Sequence, residues 1–171
     1  MIETEIKLAV ADIGRIRDKL LAAGAVLERE RLFEENILYD TPEGRLKSAG
    51  SALRLRTVAK KTRVTFKGPL QKARSFKVRE EYETGIHDGG QMRKILKSLG
   101  FRPVIRYVKH RTAFRKGRLK ICLDETAAGV FLELEGRRHE IVRFAHALGY
   151  SRKDFITLDY IRLLGLDRRT E

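Results

Sequence analysis

Most of the chain alternates between apolar and polar positions, as strands with one buried face do. Residues 40–50 interrupt the pattern with turn-forming residues and predict a loop. Eight strands are enough to close a small barrel. The alternation predicts extended segments at about residues 1–9, 25–39, 51–59, 62–68, 75–86, 101–115, 117–124 and 130–137.

Four segments repeat their apolar residues at helical spacing instead. Asp12 and Asp88 are suited to capping the first two helices, and Gly24 and Gly100 to ending them. We expect the last two helices at about residues 138–148 and 152–165. The order of elements predicts an α+β protein dominated by an antiparallel sheet.

The polar rows of the strands consist almost entirely of charged residues. On the first strand, Glu3, Glu5 and Lys7 share one face because successive side chains alternate. A solvated face is the usual interpretation of one such strand. In a closed barrel covered by helices, however, the apolar rows meet the helices and the charged rows line the interior. The expected lining comprises Glu3, Glu5, Glu81, Glu83, Asp124, Glu133 and Glu135 with Lys7, Arg54, Arg56, Lys67, Arg79, Lys109, Arg111 and Lys120.

A charged interior of this kind is unfavourable as a mere structural core. Buried charges are costly unless they are paired or coordinate metals. Clustered carboxylates repel one another, and a hard divalent cation such as Mg²⁺ or Mn²⁺ relieves that repulsion. Arginine and lysine suit phosphate oxygens. The pattern therefore predicts a metal-assisted site for a highly charged phosphate compound.

Composition supports an anionic ligand and limits its kind. The chain has 171 residues, and its 37 Lys and Arg against 23 Asp and Glu give a formal net charge of +14. Such an excess attracts polyanions. Nucleic-acid binding would favour surface bases with interleaved aromatic residues, whereas the carboxylates here accompany the bases on the same face. We therefore expect no nucleic-acid partner.

The remaining sequence features concern the cell compartment, the assembly state and the cysteine and histidine residues. The chain begins without the apolar region of a secretory signal and has no apolar run long enough for a bilayer, so we expect a cytoplasmic protein without a membrane partner. A barrel edge or an apolar helix face leaves room for a homodimer. Cys122 is the only cysteine and is expected to be a buried filler. None of the four histidines, His87, His110, His139 and His146, is expected to bind metal.

The charged strands also resemble a known family. Glu3-Thr4-Glu5-Ile6-Lys7 resembles the N-terminal E-x-E-x-K signature of the CYTH superfamily, the triphosphate tunnel metalloenzymes. The likeness covers about residues 1–165, and it is greatest to the group labelled class IV adenylyl cyclase. The other matching blocks, in order, are Leu53-Arg54-Leu55-Arg56, Thr65-Phe66-Lys67-Gly68-Pro69, Arg79-x-Glu81-x-Glu83, Lys109-His110-Arg111, Leu123-Asp124-Glu125 and Gly129-x-Phe131-x-Glu133-x-Glu135.

The resemblance implies a single triphosphate tunnel domain over residues 1–171 and a role for each charged residue. Glu3, Glu5 and Glu135 would hold a first metal ion. Asp124 and Glu133 would position a second metal ion or the attacking water, with Lys7 as the third catalytic residue. Glu81 and Glu83 would lie in the tunnel wall. The phosphates would be gripped by Lys7, Arg54, Arg56, Lys67, Arg79, Lys109, Arg111 and Lys120.

The function favoured by these roles is hydrolysis of inorganic or nucleoside triphosphate. An alternative is a class IV adenylate cyclase, in which the ribose 3′-hydroxyl of ATP attacks the α-phosphorus and releases pyrophosphate. A cyclase must also hold the base, and the sequence carries no clear adenine-recognition motif. A second alternative is a polyphosphate-binding module without turnover, which would not need so many carboxylates.

Overall fold

The structure is a computed structural model, and it describes residues 2–168. Its strands form a closed eight-stranded antiparallel barrel with a charged interior and helices packed outside, which confirms the predicted fold class. Around the barrel the strand order is β1, β5, β4, β3, β2, β6, β7 and β8. The strands span Ile2–Val10 (β1), Val26–Asp40 (β2), Ala52–Val58 (β3), Lys61–Lys67 (β4), Lys77–Ile86 (β5), Arg102–Lys116 (β6), Leu119–Thr126 (β7) and Gly129–Glu135 (β8).

The helices begin where the capping residues predict. Asp12 accepts a hydrogen bond from the backbone N–H of Arg15 at 2.9 Å, and Asp88 accepts one from Gln91 at 2.9 Å. Each satisfies an amide that has no partner within the helix. The helices are α1 (Ile13–Ala22), α2 (Arg45–Ser48), α3 (Gly89–Ser98), α4 (Arg138–Ala147) and α5 (Tyr160–Leu163). In the described part of the chain, no helix is both long and apolar enough to cross a membrane.

The structure differs from the sequence prediction at two segments. Residues 40–50 contain the four-residue helix α2 within the expected loop. The continuous helix predicted over 152–165 is wrong. That segment forms a 3-10 turn at Arg152–Asp154, an extended stretch and then α5. The extended stretch pairs with β1, because the backbone N–H of Lys7 donates to Ile156 O and that of Ile156 donates to Lys7 O, both at 2.8 Å.

The described chain divides into two compact units. The first contains Ile2, Phe33–Gln71 and Arg79–Val108, and the second contains Glu3–Leu32, Lys72–Val78 and the chain from Lys109 onward. The expectation of one domain over residues 1–171 stays a prediction.

In the second unit, the apolar faces of β1, β6, β7 and β8, together with Val78 of β5, pack against α1 and α4. This core buries Ile16 and Leu20 of α1 and Ile141 and Phe144 of α4. Its strand side is supplied by Ile6, Leu8, Val10, Phe114, Ile121, Leu123, Leu132 and Leu134. Because side chains alternate along a strand, the polar residues between these positions point to the opposite face.

The first unit has a smaller core of the same design. Leu96 of α3 packs with Tyr39 of β2 and Leu55 of β3. Met92 and Phe101 cover its edge. Of the apolar residues at helical spacing in this segment, Met92 and Leu96 pack on the sheet, whereas Ile95 is 53% and Leu99 66% exposed.

Candidate active site

In the second unit, buried charged side chains gather around Asp124. Asp124 is 0% exposed, and both of its carboxylate oxygens accept hydrogen bonds. Arg111 donates to Oδ1 at 2.6 Å and to Oδ2 at 2.5 Å, and Lys109 donates to Oδ2 at 2.8 Å. Arg111 and Asp124 meet because they are register partners on β6 and β7. We define the Asp124 cluster as Lys7, Lys109, Arg111, Asp124, Glu133 and Tyr160.

Lys7 joins two carboxylates beside Asp124. Its Nζ lies 3.3 Å from Glu5 Oε1 and 3.3 Å from Glu133 Oε2, and the residue is 1% exposed. Glu5 also accepts a hydrogen bond from Lys77 Nζ at 2.7 Å. Glu133 accepts one from Arg111 Nη2 at 2.9 Å. Basic side chains therefore link all of the buried acids in this unit that the sequence assigned to the site.

The cluster fixes the charge of its members. Burial alone would lower the pKa of Lys7, but its two carboxylate neighbours raise it well above the usual value. Burial alone would raise the pKa of Asp124, but Arg111 and Lys109 lower it overall. Near neutral pH, Lys7 is thus a cation and Asp124 an anion, and neither is suited to exchanging a proton with a bound molecule.

Tyr160 is a member of the cluster that the sequence interpretation missed. Its hydroxyl donates to Asp124 Oδ2 at 2.5 Å, and its ring centre lies 4.4 Å from Lys109 Nζ and 4.9 Å from Lys7 Nζ. Burial, followed by the charge of Asp124, raises the pKa of Tyr160 well above its usual value, so the hydroxyl remains a donor. No motif marks this residue, because it comes from the segment predicted as an outer helix.

The three ligands predicted for the first metal ion lie on β1 and β8. Glu5 and Glu135 are register partners on these strands. Glu135 is partly exposed and accepts a hydrogen bond from Lys120 Nζ at 2.6 Å. Glu3 is half-buried. The donor set of carboxylate oxygens suits Mg²⁺ or Mn²⁺.

In this structure, these carboxylates pair with lysines and arginines. Lys7 stands between Glu5 and Glu133, and Lys77 and Lys120 bind Glu5 and Glu135. Among residues 2–168, no three His, Cys, Asp or Glu side chains gather closely enough to hold a metal ion. The residues therefore fit a divalent ion by their chemistry and register, and binding one would require carboxylates to leave their lysine partners.

The first unit carries a second group of charged residues on the polar face of its strands. Arg54 Nη2 donates to Thr65 Oγ1 at 3.3 Å, and Thr65 donates in turn to Glu83 Oε2 at 2.8 Å. Arg56 Nε lies 3.7 Å from Glu34 Oε1. We define the Arg54 cluster as Glu34, Arg54, Arg56, Thr65, Lys67, Arg79, Glu81 and Glu83, in which Lys67 pairs with Glu81.

Several donors of the Arg54 cluster have no acceptor. Within the described residues, the buried Nε atoms of Arg54, Arg56 and Arg79 make no hydrogen bond. The two amide atoms of Asn36, a residue of β2 that is 0% exposed, make none either. Buried polar groups are normally satisfied, and an exception of this kind is typical of a site that awaits a ligand. Three guanidinium groups whose Nε–H makes no hydrogen bond within the described residues would suit the oxygens of a phosphate chain.

The sequence interpretation named Arg54, Arg56, Lys67, Arg79, Glu81 and Glu83 but overlooked part of β2. Glu34 and Asn36 share one face of β2 because they are two positions apart, and this spacing was the signal that could have assigned them. Lys77 was overlooked in the same way, although it lies two positions before Arg79 on β5. The site assignments that came from the resemblance stay predictions.

Cys122 lies on the charged face between Lys120 and Asp124, as alternation predicts. It is partly buried and forms no disulfide. Burial raises the pKa of its thiol to about 12, with nearby carboxylates adding to the effect. Because a thiolate is the reactive form, this residue is not a nucleophile near neutral pH.

The closed antiparallel barrel with a charged inner face defines a class of protein. Comparison with known sequences identifies that class. Residues 1–157 match the CYTH domain. The chain is 32% identical to a protein of Methanocaldococcus jannaschii named "putative adenylate cyclase", over 97% of this chain and 100% of the relative. The chain therefore belongs to the CYTH family, which confirms the family resemblance.

Solved structures share the fold. A "putative adenylate cyclase" of Vibrio parahaemolyticus matches with a TM-score of 0.87 and 22% identity, over 96% of this chain and 98% of that one. A Pyrococcus horikoshii protein matches with a TM-score of 0.79 and 26% identity, over 97% and 99%. A Hippeastrum protein, described as a "putative adenylyl cyclase" with a dominant triphosphatase activity, matches with a TM-score of 0.69 and 20% identity, over 96% of each chain.

Proposed function

We propose that this protein is a metal-dependent enzyme that hydrolyses a triphosphate bound by the charged face of its strands. The observation that carries the proposal is the set of buried guanidinium Nε atoms without an acceptor at Arg54, Arg56 and Arg79. Buried guanidinium N–H groups without a hydrogen bond are costly, even though Arg54 and Arg56 lie 3.9 Å from Glu83 and 3.7 Å from Glu34. A triphosphate supplies a row of oxygens that would satisfy them, and the reported triphosphatase activity of the Hippeastrum protein supports this choice of substrate.

The Asp124 cluster would supply the catalytic groups. Lys7 and Arg111 are permanent cations beside Glu133, and they would stabilise charge that develops on the transferred phosphoryl group. Glu133 would orient the attacking water, since its two oxygens face Lys7 and Arg111 while the residue retains 9% exposure. Asp124 would act by fixing Lys109 and Arg111, because its own oxygens are fully engaged.

The carboxylates of β1 and β8 would hold the divalent ion that the family implies. Glu3, Glu5 and Glu135 supply the hard oxygen ligands that Mg²⁺ or Mn²⁺ prefers. When bound, such an ion neutralises phosphate charge and lowers the barrier to attack. Lys77 and Lys120, which pair with Glu5 and Glu135 here, would then be released toward the substrate.

The direct test is product analysis with Mg²⁺ or Mn²⁺ and either inorganic triphosphate or ATP. We expect orthophosphate release, with inorganic triphosphate as the better substrate. Glu133→Gln keeps the size and the hydrogen-bond acceptor but removes the charge, so turnover should fall at least about 100-fold while triphosphate binding persists. Glu35→Gln is the matched control, since Glu35 pairs with exposed Arg106 at 2.6 Å. Tight binding without any product would leave a polyphosphate-binding module and defeat the proposal.

Adenylate cyclisation is the second candidate, and the name of the Methanocaldococcus relative favours it. The reaction would use the same phosphate grip but a ribose hydroxyl as nucleophile. Cyclic AMP formed in equal amount to pyrophosphate from ATP would establish cyclisation. Orthophosphate without cyclic AMP would establish hydrolysis.

A further inference from the structure

A basic groove lies on the outer side of α4, away from the charged faces of the strands. It has a volume of about 680 Å³, which is within the range of small-ligand sites. Three arginines and two histidines line it: Arg138, Arg143, Arg152, His139 and His146. No acidic residue is among its lining residues. We call this feature the α4 groove.

The α4 groove has a defined floor. Phe76 is buried and packs edge-to-face against Phe155, with ring centres 6.0 Å apart. Arg138 is held above it, with its Cζ 5.6 Å from the Phe76 ring centre. The guanidinium group is thus positioned by a cation–π contact rather than by a carboxylate.

The other basic groups converge by helical spacing. His139, Arg143 and His146 follow one another at intervals of four and three residues, so they share one face of α4. Arg152 reaches the same groove from the 3-10 turn after the helix, whose start is fixed by hydrogen bonds between Ser151 and Asp154. The sequence therefore places these groups together through α4 and the capped 3-10 turn that follows it.

The charge of the groove is uncompensated. Across residues 2–168, none of its three guanidinium groups forms an ion pair with a carboxylate, unlike the arginines of the Asp124 cluster. Like charges placed around one cavity repel, and a multivalent anion relieves this repulsion. Arginine forks and an apolar floor suit a phosphate chain, with or without an attached nucleoside.

We propose that the α4 groove is a second phosphate-binding site, separate from the charged faces of the strands, which takes a compound with a chain of phosphates. Binding there does not depend on the hydrolytic function proposed above. The phosphates would contact Arg138, Arg143 and Arg152, and an attached base would lie at the apolar floor beside Val142.

Histidine resonances offer a local probe, since the chain has only four histidines. The full-length protein, without divalent metal, is titrated with inorganic triphosphate while the imidazole signals are followed by NMR. We expect His139 and His146 to shift and saturate, while His87, which is outside the groove, stays unchanged. Constant His139 and His146 signals at millimolar inorganic triphosphate would overturn the proposal.

Charge reversal separates a site from general attraction to a basic protein. Arg143→Glu with Arg152→Glu should weaken the binding seen at His139 and His146 by about tenfold or more. The control is Arg29→Glu with Arg118→Glu, which changes the net charge equally at two exposed positions outside the groove. Equal weakening by both pairs would show non-specific attraction and refute the site. The rate of triphosphate hydrolysis by the Arg143→Glu, Arg152→Glu variant measures the proposed hydrolytic function separately.

A parallel titration with ATP identifies the source of the phosphates. Tighter binding of ATP than of inorganic triphosphate, with shifted Val142 methyl signals, would support a nucleotide ligand. Equal binding would support an inorganic phosphate chain. Both results uphold a phosphate site, whereas saturation by neither compound contradicts it.

Discussion

At the scale of single residues, Tyr160 shows how one hydroxyl can organise a buried charge. Asp124 receives donors from Arg111, Lys109 and Tyr160. Tyr160→Phe removes one charge-assisted hydrogen bond and keeps the ring that lies beside Lys7. We expect the free energy of unfolding to fall by about 1.5–3 kcal/mol, measured by denaturant titration.

Tyr150→Phe provides the matched control for this change. The Tyr150 hydroxyl donates at 3.1 Å to a neutral acceptor, the backbone oxygen of Ala9. Its loss should cost only about 0.5–1.5 kcal/mol. If Tyr160→Phe is no more destabilising than Tyr150→Phe, the hydrogen bond to Asp124 contributes no more to stability than a hydrogen bond to a neutral acceptor.

A substitution of Arg56 tests the proposed phosphate binding, again at the level of a single residue. Arg56→Lys keeps the positive charge but removes the fork and the buried Nε that makes no hydrogen bond within residues 2–168. We expect KM for inorganic triphosphate to rise about tenfold, with a smaller change in kcat. Arg106→Lys, which alters an exposed arginine paired with Glu35, should leave KM unchanged. An unaltered KM in Arg56→Lys would remove Arg56 from the substrate site.

At the scale of elements, the extended stretch after α4 attaches the C-terminal segment to β1. Ile156 exchanges two backbone hydrogen bonds with Lys7. Ile156→Pro removes the donor of one bond and leaves Lys7 O without its partner. We expect a loss of about 1–3 kcal/mol of unfolding free energy beyond that of Ile156→Ala, which keeps the N–H. The difference between the two variants is the quantity to measure, and no difference would mean that the pairing is dispensable.

The same stretch explains where prediction from sequence succeeded and failed. Period-two alternation and the caps at Asp12 and Asp88 predicted the strands and the first helices, because local rules govern them. The segment 152–165 has apolar spacing that suits a helix, yet β1 offers Lys7 as a backbone partner. A long-range hydrogen bond decided its conformation, and local spacing carries no information about such a partner.

The candidate site was likewise predictable from the sequence only in part. Strand alternation placed Glu5, Lys7 and Asp124 on a charged face, since the side-chain period of a strand is fixed. The sequence does not reveal which charges pair. Those pairings depend on register between strands far apart in the chain, such as Lys7 opposite Glu133. Tyr160 joins them only because of the unpredicted C-terminal path.

At the scale of the whole molecule, paired carboxylates make the stability depend on pH. The folded-state pKa values of Asp124 and Glu83 are lowered, so both groups are deprotonated at a lower pH in the folded protein than in the unfolded chain. For Glu83, burial opposes this shift, and the hydrogen bond from Thr65 with the charge of Arg56 exceeds it. The stabilisation that such groups provide is fully present above their unfolded-state pKa values of about 4. It is lost as the pH falls through their folded-state pKa values.

Comparison of the wild-type protein with Asp124→Asn measures this dependence at one residue. Near neutral pH, the variant leaves Lys109 and Arg111 without their anion, and we expect a loss of about 3–5 kcal/mol of unfolding free energy. The difference in unfolding free energy between the two proteins should stay constant down to about pH 5 and narrow only below about pH 4. Below that pH the unfolded wild-type chain binds a proton at Asp124 that the folded protein does not bind until the pH is lower. A difference in unfolding free energy that widens as the pH falls from 7 to 5 would require a raised folded-state pKa of Asp124, because the folded protein would then bind the proton before the unfolded chain does. That result would mean that burial, rather than the charges of Arg111 and Lys109, dominates the environment of Asp124.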